Sequence, residues 1–332
     1  MRLLFLGGTG NLSTACAREA LLQGHRLTIL TRGQRAAEPL AGFEHVKGDA
    51  SDAAALDALA SRGFDAVVNF IAFDADDVRR DARAFSGKTA QYVLISSAAI
   101  YEKPPRHHVV TEATPRANPY WDYARKKIAA EDALRETDGF PATIVRPCYT
   151  YGESWIPTTS GTDYTVVWRM RRELEVVVPG DGTSLFTLTH ASDFARGLVG
   201  LLGRKEALGE AFHITSDEVQ SWNQVHETLA RVIGVAPRLV HVPSDFIARI
   251  DARRGASLLG DKAHSLVFDN SKLRRLLPDF RARVRFEDGI RASIAWLEAD
   301  PARQKTDANE TVERILAAWR RAMATLEARA QA

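Results

Sequence analysis

Short apolar runs alternate with helical-period stretches through the first half of the chain. Arg2 to Leu6 is a continuous apolar run, followed by the turn GGTGNLS and the helical segment TACAREALLQGH. HRLTILTRG, FEHVKGDA, FDAVVNFIAF, AQYVLISS and ATIVRP read as further strands. DAAALDALASRG, DADDVRRDARAFSGK and the segment carrying Tyr123 read as the helices between them. Strands alternating with helices predict a parallel sheet covered by helices on both faces. The uninterrupted runs VVNFIAF and YVLIS suit strands buried on both sides. Functional groups are then expected at the carboxyl ends of the strands.

After Gly152 the pattern mixes short strands (EVVVP, AFHITS, RLVHVP) with helical runs, and no Gly-, Pro- or Ser-rich linker intervenes. The expected organisation is a nucleotide-binding unit over 1–152 and a mainly substrate-binding unit over 153–305, interleaved with the end of the sheet. A C-terminal amphipathic helix over 306–332 completes it. In that helix Val312, Ile315, Leu316, Trp319, Met323 and Leu326 recur at helical spacing and form one apolar stripe, suited to core packing or a dimer surface.

Composition narrows the class. The 332 residues are 45% apolar and 26% charged, with a net charge of +2, as in ordinary soluble globular proteins. No long basic block points to nucleic acid or a membrane surface. No apolar run approaches the roughly 20 residues that span a bilayer. Cys16 and Cys148 form neither a disulfide framework nor a metal spacing. No metal is expected, and a cytoplasmic location is.

Candidate chemistry begins at the first turn. Gly7, Gly8, Thr9 and Gly10 join the first strand to the first helix. Glycines there let the backbone approach a pyrophosphate, which a helix N-terminus attracts. Ser13 stands where a third glycine is usual. The combination predicts a Rossmann-type dinucleotide site. The second strand ends in Thr31-Arg32-Gly33, where an NAD-preferring enzyme commonly carries an acid. Arg32 can instead pair with a 2′-phosphate, so the cofactor expected is NAD(P) with a leaning to NADP. Asp49 could accept from the adenine amino group; alternatively Asp49 or Ser51 caps a helix.

Tyr123 and Lys127 lie four residues apart in NPYWDYARKK. With Asn118 as cap and Pro119 in the first turn, a helix places phenol and ammonium on one face. A phenol with a reference pKa of about 10 is a poor base. An adjacent ammonium favours the phenolate and lowers that value.

GGTGNLS, SSAAIY, Tyr123-x-x-x-Lys127, RPCYTYG at 146–152, VVPGDGTSLFTLTHASDFARG and FEDGIRASIAWL occur in that order over about 300 residues. In these motifs the chain resembles the extended short-chain dehydrogenase/reductase family, the nucleotide-sugar epimerases and dehydratases. The TRG run also looks like an atypical branch with chloroplast RNA-binding relatives. The resemblance implies a Ser97–Tyr123–Lys127 active site. Tyr123 would be the acid/base, Lys127 would hold the nicotinamide ribose, and Ser97 would bond the reacting oxygen. It also implies cofactor contacts from Gly7, Thr9, Gly10, Asn11, Leu12, Ala72 and Pro147, and substrate contacts from Ala99, Trp155 and His190.

The family's dehydratases carry an acid/base pair directly after the active-site Ser or Thr. Ala98 and Ala99 stand there and cannot move protons. Phe186 occupies the position of an Arg that binds the substrate diphosphate, so Arg169, Arg171 or Arg172 substitutes or the substrate is not a nucleotide sugar. Asp261, Lys262 and His264 lie in a segment where a substrate-paired residue often sits, and a solvated loop is the competing reading. The expected function is NAD(P)-dependent oxidation, reduction or epimerisation of a secondary alcohol on a small sugar-like molecule, by a homodimer. A non-nucleotide carbonyl reductase and an RNA-binding protein on the same scaffold are the alternatives; retention of the Tyr–Lys pair and the low net charge speak against the second.

Overall fold

The computed structural model describes residues 1–34 and 42–331; most of the polar loop expected after the second strand lies outside them. Seven parallel strands form the main sheet: β1 (Arg2–Leu6), β2 (Arg26–Thr31), β3 (Phe43–Lys47), β4 (Phe64–Asn69), β5 (Thr89–Ile95), β6 (Ala142–Pro147) and β7 (Ala211–Ile214). Their order is β7-β6-β5-β4-β1-β2-β3. The order reverses between β1 and β4, which opens the crevice where doubly wound sheets bind ligands.

Alternation along each strand builds two cores. Leu4, Leu6, Val67, Tyr92 and Leu94 face α2 (Ala53–Ala60), α3 (Ala75–Phe85) and α4 (Asp122–Arg135). Leu3, Phe5, Val68, Val93 and Val145 face α1 (Asn11–Leu22) and the helix Ala191–Leu201. Successive side chains point to opposite faces, so a strand covered on both must be apolar throughout. The fold is the expected Rossmann-type doubly wound sheet with a smaller C-terminal α/β region.

That smaller region has its own core around Phe186, Trp222, Val178 and Phe286. It contains a three-stranded sheet of Val219–Ser221, Leu185–His190 and Tyr149–Tyr151. Between its pieces the chain returns to the main sheet to supply β7. The last helix, Asn309–Ala330, buries Val312, Ile315 and Leu316, while Met323 and Leu326 stay exposed. No helix among the described residues is long and apolar enough to cross a membrane.

One polar cluster crosses the apolar layer. The Glu131 carboxylate on α4 accepts from Arg146 Nε at 2.9 Å and Nη2 at 2.7 Å, and from Ser96 Oγ at 2.6 Å. Arg146 also donates to Tyr101 Oη at 2.9 Å, and Tyr101 pairs with His213 of β7. Burial pushes the Glu131 carboxyl up, but the hydrogen bonds and charge of Arg146 outweigh it and hold it below the usual range. Burial, reinforced by Arg146, lowers His213 to about 3 and keeps it neutral.

Removing one member of such a pair leaves the other charge buried alone. Glu131→Gln is expected to destabilise the protein by about 3 kcal/mol in urea unfolding. A loss under about 0.5 kcal/mol, the scale of an exposed pair, would show that the cluster does not anchor α4.

Candidate active site

The crevice holds two contiguous cavities. The first, about 680 Å³, is lined by the glycine turn, the end of β2 and Asp49. Gly7 has φ +79°, and a Cβ there would meet Ile71 at 2.7 Å, so the position requires glycine. The first turn of α1 contains no acidic residue, and Gly10 N donates to Ser13 Oγ at 3.0 Å. Ser13 thus braces the turn where a third glycine is usual. Asn11 Nδ2 is buried without a partner, an open donor at the rim of the turn. Gly7, Thr9, Gly10, Asn11, Leu12, Arg32 and Asp49 all line this cleft. Its size and its bare helix N-terminus fit a dinucleotide.

Asp49 accepts from Ser51 N at 2.9 Å. Asp52, rather than Asp49 or Ser51, caps α2 through Ala54 N. Asp49 is therefore free of capping duty at the helix and stands exposed at the rim, close enough for the Arg32 charge to act on it.

The second cavity, about 380 Å³, is lined by Ser97, Ala99, Tyr123, Lys127, Pro147 and Trp155 among others. Leu12 and Trp155 border both cavities. Lys127 Nζ donates to Ala72 O at 2.6 Å and Ile95 O at 2.9 Å. It lies 4.9 Å from the Phe73 ring centre and 6.0 Å from that of Tyr123. Ser97 Oγ accepts from Ala99 N at 3.2 Å, so it caps a turn as well as facing Tyr123.

Two sequence expectations change here. α4 begins at Asp122 with Trp121 at its cap, not at Asn118 and Pro119. Asn118 Oδ1 accepts from Tyr120 N and Trp121 N at 3.1 Å each. Its Nδ2 donates to Ala99 O and Gly260 O at 2.7 Å each. The amide ties the helix entry to the loop after β5, a tertiary duty invisible in a helix-start motif. Tyr123 also departs from the simple Tyr–Lys argument. Burial raises its pKa; the hydrogen bond with Ser97 acts the other way, and the Asp261 charge adds to the rise. Burial lowers Lys127 to about 8, against Asp77 and Glu131.

Other expected residues are placed elsewhere. Ala72 is buried and serves through its carbonyl. His190 caps the helix Ala191–Leu201 through Ser192 N and lies against Tyr151. It lines another cleft, together with Thr9, Gly10 and Asn11, and is not among the residues that line the cavity of Tyr123. Arg169 is engaged by Glu313 and Asn309, Arg171 by Glu298, and Arg172 by the Trp168 ring. Phe186 is buried against Trp222. Cys148 Sγ donates to Thr187 O at 3.0 Å, and burial pushes its thiol up, which suits an inert group. Tyr149, in the 147–149 run that the resemblance sets beside the nicotinamide, lines the cavity. Trp121 and Phe73 line it too and were not legible in the sequence, except that Trp121 lies close to Tyr123. Asp261 and Lys262 also line it, in place of the solvated loop. Among the described residues no cluster of His, Cys, Asp or Glu could hold a metal ion.

Residues 3–215 match the family model of the NAD dependent epimerase/dehydratase family. The chain is 27% identical over 290 residues to a 2'-dehydrokanamycin reductase of Streptomyces kanamyceticus, covering 85% of this chain and 81% of that protein. It is 26% identical over 270 residues to the chloroplast stem-loop binding protein of 41 kDa b of Arabidopsis thaliana, covering 74% and 67%. A UDP-glucuronic acid 4-epimerase of Bacillus cereus, solved with UDP-glucuronic acid and NAD, superposes with a TM-score of 0.73 at 17% identity, over 90% of this chain and 99% of that one.

The fold and the crevice are those of an NAD(P)-binding enzyme of the oxidoreductase/epimerase type. The chain belongs to the NAD-dependent epimerase/dehydratase family.

Asn69 has a structural role in this site. Its Oδ1 accepts from Ile71 N and Ala72 N at 2.7 Å each, and its Nδ2 donates to the buried Asp81. Tyr92 Oη donates to the same carboxylate at 2.6 Å. Asp81 thereby supports the loop whose carbonyl holds Lys127. Burial raises the Asp81 pKa from 3.8 to about 6. The unfolded carboxyl ionises first as pH rises, so the group's contribution to stability falls between those two values. Over that window the wild type should lose about 2–3 kcal/mol from this group, and Asp81→Asn should not. Urea unfolding of both proteins from pH about 4 to about 7 checks it; parallel curves would refute the buried titration.

Proposed function

We propose that the chain is an NAD(P)-dependent oxidoreductase or epimerase acting on a secondary alcohol of a sugar-like ring, through Tyr123. The observation carrying this reading is the convergence of Ser97, Tyr123 and Lys127 on a cavity continuous with the glycine-turn cleft. Similarity to a 2'-dehydrokanamycin reductase and a UDP-glucuronic acid 4-epimerase supports a ring carbonyl or alcohol as the reacting group.

When bound, the cofactor accepts or returns a hydride. In the oxidative direction Tyr123 Oη takes the substrate hydroxyl proton. The carbinol C–H bond breaks with its electron pair leaving as hydride, and the C=O bond forms. In the reductive direction Tyr123 Oη returns the proton to the new alkoxide. Ser97 Oγ hydrogen-bonds the reacting oxygen and keeps it within reach of the phenol. Lys127 would hold the cofactor ribose from the same helix face as the phenol. Ala98 and Ala99 supply no acid or base for eliminating water, which favours alcohol–ketone chemistry over dehydration. The reading includes a cytoplasmic setting and a homodimer, the first supported by two unpaired thiols, the second by the exposed Met323 and Leu326.

Tyr123→Phe should slow hydride transfer by roughly a hundredfold or more and leave cofactor affinity nearly unchanged. Nicotinamide absorbance with a panel of ring alcohols and ketones reads the first, and calorimetry the second; undiminished transfer removes the mechanism.

Arg32, exposed at the rim of the cleft, supports a preference for NADP. Arg32→Asp should weaken NADP binding roughly tenfold or more while NAD changes far less. Calorimetric titration with both cofactors decides, and equal losses would show that the guanidinium does not read the 2′-phosphate.

A further inference from the structure

The cavity that holds Tyr123 has a second charged feature, which hydride transfer does not use. A π-helical turn over Leu258–Lys262 brings Asp261 and Lys262 to its wall. Turns of this kind occur frequently at functional sites. Asn118 Nδ2 seats the turn by donating to Gly260 O, and Trp222 Nε1 by donating to Lys262 O at 2.8 Å. The same Asn118 amide holds Ala99 O. The turn is therefore built onto the loop that follows Ser97 and onto the entry to the helix of Tyr123.

Both side chains are largely buried, with 11% of Lys262 and 12% of Asp261 exposed. Their charged atoms are 3.5 Å apart, too far for a strong hydrogen bond. Lys262 Nζ makes one hydrogen bond, to Ser257 Oγ at 3.1 Å. It sits 4.8 Å from the Tyr149 ring centre and 5.4 Å from that of Trp121. An ammonium has three donors and a carboxylate only acceptors, so both groups keep hydrogen-bonding capacity for a ligand. Burying a loosely paired couple costs stability; a ligand that completes both partners offsets it.

The charges also restrict what enters. Asp261 and Lys262 cancel, and the neighbouring wall is aromatic: Trp121, Tyr149 and Trp155. Lys103 lies behind them, buried and donating to Tyr101 O at 3.2 Å. Among the described residues no arginine lines the cavity, and Arg169, Arg171 and Arg172 are held elsewhere. A diphosphate would meet Lys262, already beside a carboxylate, and Lys127, whose ammonium is held by the Ala72 and Ile95 carbonyls. A ring with adjacent hydroxyls would donate to Asp261, accept from Lys262 and lay its C–H face on the aromatic rings.

We propose that Asp261 and Lys262 orient the substrate, and that they select an uncharged, hydroxyl-bearing ring over a nucleoside diphosphate sugar. The proposal rests on Tyr123 as the proton-transfer group and adds the substrate class to it.

The test uses the full chain loaded with NADP. Methyl glycosides and inositols are the uncharged probes, UDP-glucose and UDP the charged ones, and tryptophan quenching with calorimetry reads binding. At least one uncharged ring should bind more tightly than UDP-glucose. Asp261→Asn and Lys262→Met should each weaken that binding roughly tenfold or more, with NADP affinity retained. Where either variant also loses NADP, the milder Asp261→Glu and Lys262→Arg decide by the same criterion. Tighter binding of UDP-glucose, binding of no uncharged probe, or unaltered probe binding in the variants would each overturn the proposal. Tyr123→Phe separates the two readings, because it should leave probe binding intact. Hydride transfer surviving in Tyr123→Phe, with probe binding lost in Asp261→Asn, would sink the proton-transfer role and leave the orienting pair standing.

Discussion

The bidentate pair between Glu131 and Arg146 is the constraint on which the site depends. Apolar contacts between a helix and a sheet are non-directional and by themselves leave α4 several nearby seats. A buried ion pair with two defined hydrogen bonds admits one. Lys127 lies one turn before Glu131 on α4 and Tyr123 a further turn before that. Ser96 donates to the same carboxylate, and Ser97 is its neighbour in the chain. One buried carboxylate thus fixes the helix that carries the phenol and ammonium, and the strand end that carries the serine.

Around that frame, burial works against the chemistry. It raises the Tyr123 phenol and lowers the Lys127 ammonium, since both charged forms lose solvation. The carbonyls of Ala72 and Ile95 hold the ammonium in place, and Ser97 favours the phenolate. The Tyr–Lys spacing alone therefore does not make a base. The phenolate needs further positive charge at the site, which an oxidised, cationic nicotinamide would supply when bound. In the proposed function the cofactor that receives the hydride would thus also favour the phenolate of Tyr123.

The alternation of apolar runs and helical stretches made the parallel sheet legible, because strands buried on both faces must be apolar throughout. The glycine turn and the spacing of Tyr123 and Lys127 were legible for the same local reason: each is a short motif within one turn or helix. What stayed hidden depends on contacts between distant segments. Asn118 read as a helix cap, yet it bridges Ala99 and Gly260, 142 residues away. Asp261 and Lys262 read either as substrate partners or as a solvated loop, because no local pattern announces the turn that folds them over the cavity of Tyr123. His190 was legible as a polar group near a strand end, but not as the cap of the helix that follows it. The Tyr123 environment was read with its sign reversed, since spacing shows a neighbouring charge and not the loss of water.

The most direct test is the titration of Tyr123 itself, by NMR of the protein labelled at the tyrosine ζ-carbon, with Tyr123→Phe assigning the signal. In the cofactor-free protein the phenol should titrate above the ordinary value of 10.0. With oxidised NADP bound it should move below that value. A phenol that titrates in the same place with and without the cofactor would contradict the claim that Tyr123 is the cofactor-activated acid/base.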